Sequence, residues 1–227
     1  MAKSNFKRAA AAKRPRVIAL TSTKGGSGKS TVAACLAGEL HNRGISVALL
    51  DVDPQRTLTA WHGRDGPLQA ITAGNANGAT VSGAIKSLSL QADVVLVDCP
   101  GFNNRDTLAV LAMADTALIP FAPTPADALG AAQTVQLLRE VNQTVERSSN
   151  PVRIALLMTS AGRGGLVAHI RTQVAATGAD VLQAVLGRRV AYQEALLDGT
   201  APCWMGRSAA AAAAEISELA DELGLTK

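Results

Sequence analysis

Short apolar runs alternate along the chain with longer stretches in which apolar residues recur at helical spacing. The runs are rich in Val, Ile and Leu and predict buried strands at 17–20, 45–50, 94–97, 116–119, 153–158 and 180–186. Helical patterns lie near 30–43, 55–63, 80–88, 104–114, 126–146, 164–177 and 207–223. Nearly continuous apolar strands separated by helices are typical of a parallel sheet covered on both faces. The pattern therefore predicts an α/β fold, a single-domain three-layer α/β/α arrangement around a mostly parallel twisted sheet.

The length and composition agree with a single domain, since 227 residues at 48% hydrophobic content can bury one good-sized core. We expect residues 1–15 to form a flexible basic tail and residues 16–227 to form the folded domain. Within that domain, residues 64–79 combine several Gly, Asn and Ala residues and are predicted to be the loosest part.

Several other classes of protein are not expected from the sequence. No apolar run reaches the roughly 18 residues of a membrane-spanning helix, and the basic N-terminus lacks the apolar stretch of a signal peptide. Cys35, Cys99 and Cys203 are widely separated and show no CxxC spacing. We therefore expect neither a disulfide framework nor a zinc site, and we expect a cytoplasmic location.

The formal net charge of +4 is unevenly distributed along the chain. Six of the 22 basic side chains lie in residues 1–16, which contain no acid, so the remaining 16 face 18 acidic ones. A second basic block spans 147–193, where six arginines meet the single acid Asp180. Such blocks attract polyanions, although a solubilising tail and ordinary surface arginines explain the charge equally well.

The strongest chemical signal is the sequence KGGSGKST at residues 24–31, which joins a predicted strand to a predicted helix. Glycines in such a loop let backbone N–H groups turn toward phosphate oxygens, and the helix N-terminus adds a positive dipole end. Lys29 is expected to reach the β- and γ-phosphates of ATP, and the Ser30 hydroxyl is expected to bind Mg²⁺. The sequence thus predicts a P-loop NTPase whose nucleotide is held by Gly25, Gly26, Ser27, Gly28, Lys29, Ser30 and Thr31.

Two carboxylate motifs follow later predicted strands, LLDVDPQ at 49–55 and VVLVDCPG at 94–101. Because the carboxyl ends of parallel strands meet at one edge of a sheet, both motifs should lie beside the P-loop. The second resembles a Walker B strand, in which Asp98 would hold Mg²⁺ through water. Gly101 is expected to offer a backbone N–H near the γ-phosphate.

The P-loop departs from the ordinary Walker A motif, because Thr23 replaces its first glycine and a second lysine, Lys24, precedes Lys29 by five residues. In this the sequence resembles the deviant Walker A superfamily, which includes ParA, MinD and nitrogenase iron protein. The resemblance implies that Lys24 reaches across a homodimer to the ATP of the partner. It also implies that Asp53 positions the attacking water, that Asp51 organises the Mg²⁺ shell, and that hydrolysis is slow.

Further motifs favour the ParA branch, and within it the small ParF-like partition and cargo-positioning proteins. The shared sequences are DPQ at 53–55, LTAW at 58–61, IPFAPTPAD at 119–127 and LLDG at 196–199. The resemblance places the proline-rich segment 120–127, with Pro123, near the nucleotide and the dimer interface. A simple strand-to-helix connection is the alternative interpretation of that segment.

In the ParA branch, DNA binding is independent of sequence and directed at phosphates. The resemblance therefore implies a nucleoid-associated ATPase that works with a ParB-like adaptor protein which stimulates hydrolysis. Candidate DNA contacts within the basic block are Arg163, Arg171, Arg188 and Arg189.

Three alternatives stay open at this point. A MinD-like membrane ATPase would need a basic amphipathic C-terminal helix, whereas residues 215–227 are acidic, so we expect no membrane partner. A metallocluster carrier or biosynthetic ligase would need paired cysteines or a substrate pocket that the sequence does not reveal. The third alternative is a regulatory ATPase that acts on another protein without DNA.

Overall fold

The computed structural model describes residues 14–101, 104–162 and 165–226. Over these ranges, seven parallel strands form one sheet in the order β3-β2-β4-β1-β5-β6-β7. The strands are β1 (Arg16–Leu20), β2 (Val47–Asp51), β3 (Thr72–Asn75), β4 (Val94–Asp98), β5 (Thr116–Phe121), β6 (Arg153–Ala161) and β7 (Asp180–Gly187). The predicted parallel sheet is confirmed.

Helices cover both faces of this sheet. They are α1 (Lys29–Asn42), α2 (Thr57–His62), α3 (Val81–Ser89), α4 (Arg105–Leu111), α5 (Pro125–Asn142), α6 (Gly165–Ala175), α7 (Val190–Leu197) and α8 (Ala210–Glu222). Helices α1, α2, α7 and α8 contribute to the hydrophobic core on one face. Helices α3, α4, α5 and α6 contribute to the core on the other, so the three-layer α/β/α prediction is confirmed.

One strand and one α-helix were not predicted from the sequence. Residues 64–79, predicted to be the loosest part, contain the edge strand β3 as well as a 3₁₀-helix, Pro67–Ala70. Strand β3 has the sequence Thr-Ala-Gly-Asn and is largely exposed, so no apolar run marks it, and its pairing with β2 defines it. Helix α7 was missed because its sequence, VAYQEALL, has no apolar pattern confined to one helical face.

The strand register brings the predicted motifs to one level of the sheet. Leu20, the last residue of β1, pairs with Asp98 at the end of β4, and Asp51 at the end of β2 also pairs with Asp98. The P-loop leaves β1 at this same edge. In addition, β1 lies in the middle of the sheet, between β4 and β5, and this is where the strand order reverses. Open α/β sheets bind ligands at the carboxyl ends of the strands at such a point.

The outer edge of β7 is closed by two glutamates of α8. The Glu222 carboxylate accepts hydrogen bonds from the backbone N–H groups of Gln183 (2.7 Å) and Ala184 (2.8 Å). Glu215 accepts one from the backbone N–H of Gly187 at 3.0 Å. Unpaired N–H groups on an edge strand invite pairing with another chain, so these carboxylates protect the sheet.

The first described residues already contact the domain. The Arg14 guanidinium pairs with Asp115 at 3.0 Å, although Arg14 falls within the predicted 1–15 tail. Residues 1–13 lie outside the described residues, so the tail itself stays a prediction. In the described ranges, none of the helices combines the length and apolar character needed to span a bilayer.

Candidate nucleotide-binding site

The P-loop forms an open cradle between β1 and α1. Gly26 and Gly28 adopt φ values of +73° and +93°, a region that favours glycine. A Cβ atom added to Gly25, Gly26 or Gly28 would meet nothing within 4 Å, so the space beside the loop is open. Helix α1 begins at Lys29 with no side-chain cap, which leaves its first N–H groups available to an anion.

A cavity of about 440 Å³ lies on one side of the P-loop. Residues 25–31 form one wall, and Asp53, Gln55 and Gly101 lie on the walls around it. The structure thus brings together three of the predicted motifs, namely the P-loop, the Asp53 motif and the glycine that follows the Walker B strand.

A second cavity, of about 560 Å³, lies on the other side of the same loop. Pro123 lines it, as do Thr159, Ser160 and Arg188. Ser160 has φ of +52°, an uncommon conformation for a residue other than glycine, at an irregular point in the β6–β7 pairing. The two cavities share Gly26, Ser27, Gly28 and Thr31 of the P-loop, and Lys29 lines the first of them.

The Asp98 carboxylate is buried directly beneath the P-loop. Its Oδ2 accepts a hydrogen bond from the Ser30 hydroxyl at 2.5 Å, while its Oδ1 has no partner among the described residues. The pKa of Asp98 is raised to about 7, mainly by burial; Asp51 and Asp53 contribute to the increase, and Ser30 and Lys29 oppose it. A buried carboxylate oxygen without a partner, beside a serine hydroxyl, is a donor set suited to Mg²⁺. The residues therefore fit the predicted metal.

Asp51 and Asp53 have different surroundings. Oδ1 of Asp51 accepts from the backbone N–H of Asp53 at 3.1 Å, and Oδ2 accepts from the N–H and hydroxyl of Thr59, both at 2.8 Å. These bonds fasten the start of α2 to the end of β2. Asp53 faces the first cavity, as expected for a residue that positions water. The role of Asp51 in the Mg²⁺ shell stays a prediction.

Lys24 does not line either cavity of its own chain. Its Nζ atom lies 2.6 Å from Oδ1 of Asp127, in the first turn of α5, and 44% of its side chain is exposed. The role of Lys24 across a dimer stays a prediction.

The described candidate DNA-binding arginines have different surroundings. Arg171 donates to the backbone oxygens of Leu182 and Gln183. Arg189 forms an ion pair with Glu215 at 2.6 Å. Arg188 lies at the second cavity, next to the P-loop. Arg163 is outside the described residues.

The other two arginines of the basic block also have partners within the chain. Arg147 is buried and donates to the backbone oxygens of Ala112 and Ala114, and Arg153 pairs with Asp180. Among the described arginines of the block Arg147 is buried, whereas Arg153, Arg188 and Arg189 are exposed, and DNA binding by this block stays a prediction.

Sequence analysis missed Asp127 and the residues of β6 that line the second cavity. A signal for Asp127 exists, because Thr124-Pro125-Ala126-Asp127 has the pattern of a capped helix start. Thr124 caps α5 by accepting from the backbone N–H of Asp127 at 3.1 Å. No comparable signal marks Thr159, whose hydroxyl donates to the backbone oxygen of Ser27 at 3.2 Å.

The fold and the site define a P-loop nucleotide-binding protein of the α/β/α class. Comparison with known families agrees: the CobQ/CobB/MinD/ParA nucleotide binding domain matches residues 18–202. Protein ParA of Rhizobium radiobacter is 32% identical over 177 residues, covering 78% of this chain and 80% of that protein. The chain belongs to the CobQ/CobB/MinD/ParA nucleotide-binding family, and the resemblance to ParA and MinD is confirmed.

Other relatives extend over nearly the whole chain. Maintenance of carboxysome distribution protein A of Halothiobacillus neapolitanus is 27% identical over 212 residues, covering 91% of this chain and 95% of that protein. The solved structure of a Cyanothece McdA variant in complex with ATP superposes with a TM-score of 0.75 at 16% identity, covering 95% and 98% of the two chains. MinD of Pyrococcus furiosus gives 0.70 at 21% identity, covering 91% and 98%. These structural matches establish the ParA/MinD ATPase fold.

Proposed function

We propose that this protein is an ATPase that segregates or positions a cargo by cycling between an ATP-bound homodimer and a monomer. The observation that carries the proposal is the pair of cavities beside the P-loop, with Lys29, Asp53 and Gly101 at one and Pro123 at the other. The names of the relatives, ParA and carboxysome distribution protein A, support the partition or positioning role.

In this proposal ATP binds with its triphosphate against residues 25–31 and its nucleoside in the cavity beside Pro123. Lys29 neutralises the β- and γ-phosphates, and the N–H groups at the start of α1 hold their oxygens. Ser30 and Asp98 would hold Mg²⁺, which would supply positive charge to the phosphates. Arg188, predicted as a DNA contact, lies where it would face the nucleoside or α-phosphate.

Hydrolysis requires an ordered water, and Asp53 is the carboxylate best placed to orient it. Its Oδ1 accepts from the backbone N–H of Gln55 at 2.9 Å, which fixes the side chain at the wall of the cavity. A positioned carboxylate with little additional charge stabilisation suits slow turnover. Lys24 of a second copy would complete the site, so nucleotide occupancy and dimerisation would be linked.

Non-specific DNA binding and a ParB-like adaptor complete the proposal. A dimer that binds nucleoid DNA and is released after adaptor-stimulated hydrolysis would move a cargo over the chromosome. The support is the family membership and the basic residues 1–16, because the arginines of the 147–193 block are largely engaged within the chain.

Steady-state hydrolysis and nucleotide affinity test the enzymatic proposal. Lys29→Ala should lose both, because the phosphates lose their main counter-charge. Asp53→Ala should retain ATP binding and lose hydrolysis by about 10- to 100-fold, because only water positioning is removed. Lys86→Ala and Asp65→Ala, which change exposed residues elsewhere, serve as matched controls. Equal hydrolysis by Lys29→Ala and the wild type would contradict the proposal.

Binding to random-sequence duplex DNA in ATP, in ADP and without nucleotide tests the DNA proposal. We expect binding only with ATP, and a steep loss of affinity as salt increases. Lys7→Glu and Arg8→Glu in the basic tail should weaken it, with Arg105→Glu, an exposed residue of α4, as the control. ATP affinity is measured on each variant, so that a damaged nucleotide site is not mistaken for a lost DNA contact. Binding that is independent of nucleotide would contradict the cycle.

A further inference from the structure

Lys24 is held within its own chain by a carboxylate that no part of the proposed reaction uses. Nζ of Lys24 lies 2.6 Å from Oδ1 of Asp127. The Asp127 side chain is only 14% exposed, and Lys24 holds the pKa of Asp127 below its ordinary value together with Thr124, against the opposing effect of burial. The contact is thus an ion pair in which the carboxylate is largely buried.

Asp127 is held in place by contacts other than its ion pair with Lys24. It occupies the first turn of the 18-residue helix α5, where the helix dipole favours a carboxylate. Oδ2 of Asp127 accepts a hydrogen bond from the Thr124 hydroxyl at 2.5 Å, and the backbone N–H of Asp127 donates to the same hydroxyl oxygen of Thr124. The anion therefore needs no rearrangement to receive a lysine.

The backbone before Lys24 is also attached to α5. The Thr23 N–H donates to the Thr134 hydroxyl at 3.1 Å, and the Thr23 hydroxyl donates to the backbone oxygen of Gly130 at 2.9 Å. Gly130 leaves room for this approach, since an added Cβ would lie 3.4 Å from Oγ1 of Thr23. The residue before Lys24 is thus held against α5, whereas 44% of the Lys24 side chain itself is exposed.

We propose that Asp127 is a positioning residue that holds Lys24 within its own chain and competes with the triphosphate of a second copy for it. This inference rests on the proposed function, because it concerns how the ATP-dependent dimer assembles. Dimerisation must break the Lys24–Asp127 pair, so Asp127 raises the ATP concentration at which dimers form. It also keeps the exposed ammonium from contacting other anions in the monomer.

Two measurements on Asp127→Asn test the inference. In the nucleotide-free protein, pulsed acetylation with mass spectrometry should detect faster modification of Lys24 than in the wild type, with Lys86 in the same sample unchanged. In an ATP titration followed by molar mass, the midpoint for dimer formation should fall about two- to fivefold, as expected for loss of a partly exposed ion pair. Asp127→Glu should return both values toward the wild type, which a purely structural role would not produce.

Asp106→Asn is the matched control, since Asp106 lies in the first turn of α4 and accepts from the N–H of Gly78. It should change neither value, and Asp127→Ala should repeat the effect of Asp127→Asn if that variant folds poorly. Unchanged Lys24 acetylation, or a higher ATP midpoint, in both Asp127 variants would overturn the inference. A wild-type chain that stays monomeric at saturating ATP would instead overturn the proposed function, and the acetylation result would still decide whether Asp127 holds Lys24.

Discussion

At the scale of single residues, the buried carboxylate that the site needs to bind a cation lowers the free energy of unfolding. Asp98 is fully buried, keeps one oxygen without a partner among the described residues, and lies near Asp51 and Asp53. A buried ionised carboxylate with incomplete hydrogen bonding destabilises a fold unless a cation accompanies it. The free energy of unfolding should therefore increase when this charge is removed in the absence of metal.

Asp98→Asn should make the metal-free chain more stable at pH 8 by about 1–3 kcal/mol. The pKa of Asp98 is raised from 3.8 to about 7, so the folded chain binds this proton more tightly than the unfolded chain does. Ionisation therefore lowers stability as pH rises from about 4 to about 7, and the advantage of the variant should be smaller at pH 5. Denaturant unfolding in EDTA at both pH values measures this difference.

Asp51→Asn is the control, because it should lower the free energy of unfolding where Asp98→Asn raises it. Asp51 accepts three hydrogen bonds from Asp53 and Thr59, so weakening them should lower stability by about 1–2 kcal/mol. If Asp98→Asn were destabilising at both pH values, the account of an unsatisfied buried charge would be wrong.

At the scale of helices and strands, the β7 edge depends on α8. Glu222 satisfies two backbone N–H groups of the edge strand, at Gln183 and Ala184. Its loss would leave those donors without an acceptor and open the strand to other chains.

We expect Glu222→Ala to lower the free energy of unfolding by about 1–2 kcal/mol and to accelerate aggregation on heating. Glu218→Ala removes an exposed carboxylate from the same helix and should leave both properties unchanged. Chemical unfolding together with light scattering compares the two variants. Equal behaviour of the two would mean that the glutamate does not protect the edge.

The sequence predicted elements whose residues carry their own signal. The P-loop glycines and the apolar strand before Asp98 identify their positions directly, and the structure places them at one edge of the sheet. Strand β3 could not be predicted, because its Thr-Ala-Gly-Asn sequence has no strand pattern and pairing with β2 creates it. Helix α7 was missed because the apolar residues of VAYQEALL are not confined to one helical face.

At the scale of the whole molecule, charge was the property least predictable from the sequence. The arginines between 147 and 193 form a basic block in the sequence, but two of them have partners outside that block. Arg189 reaches Glu215 and Arg147 reaches Ala112 and Ala114, each more than 25 residues away. A local count of charges contains no information on such pairs. The Lys24–Asp127 contact is unpredictable for the same reason.

In the proposed cycle, occupancy of the P-loop controls the assembly of two chains. The molar mass in solution without nucleotide, with ADP and with ATP and Mg²⁺ tests this coupling, using Asp53→Ala to slow hydrolysis. We expect monomers in the first two conditions, a dimer in the third, and no dimer for Lys24→Ala or Lys29→Ala. A single mass in all three conditions, or a Lys24→Ala variant that dimerises as readily as the wild type, would contradict the claim.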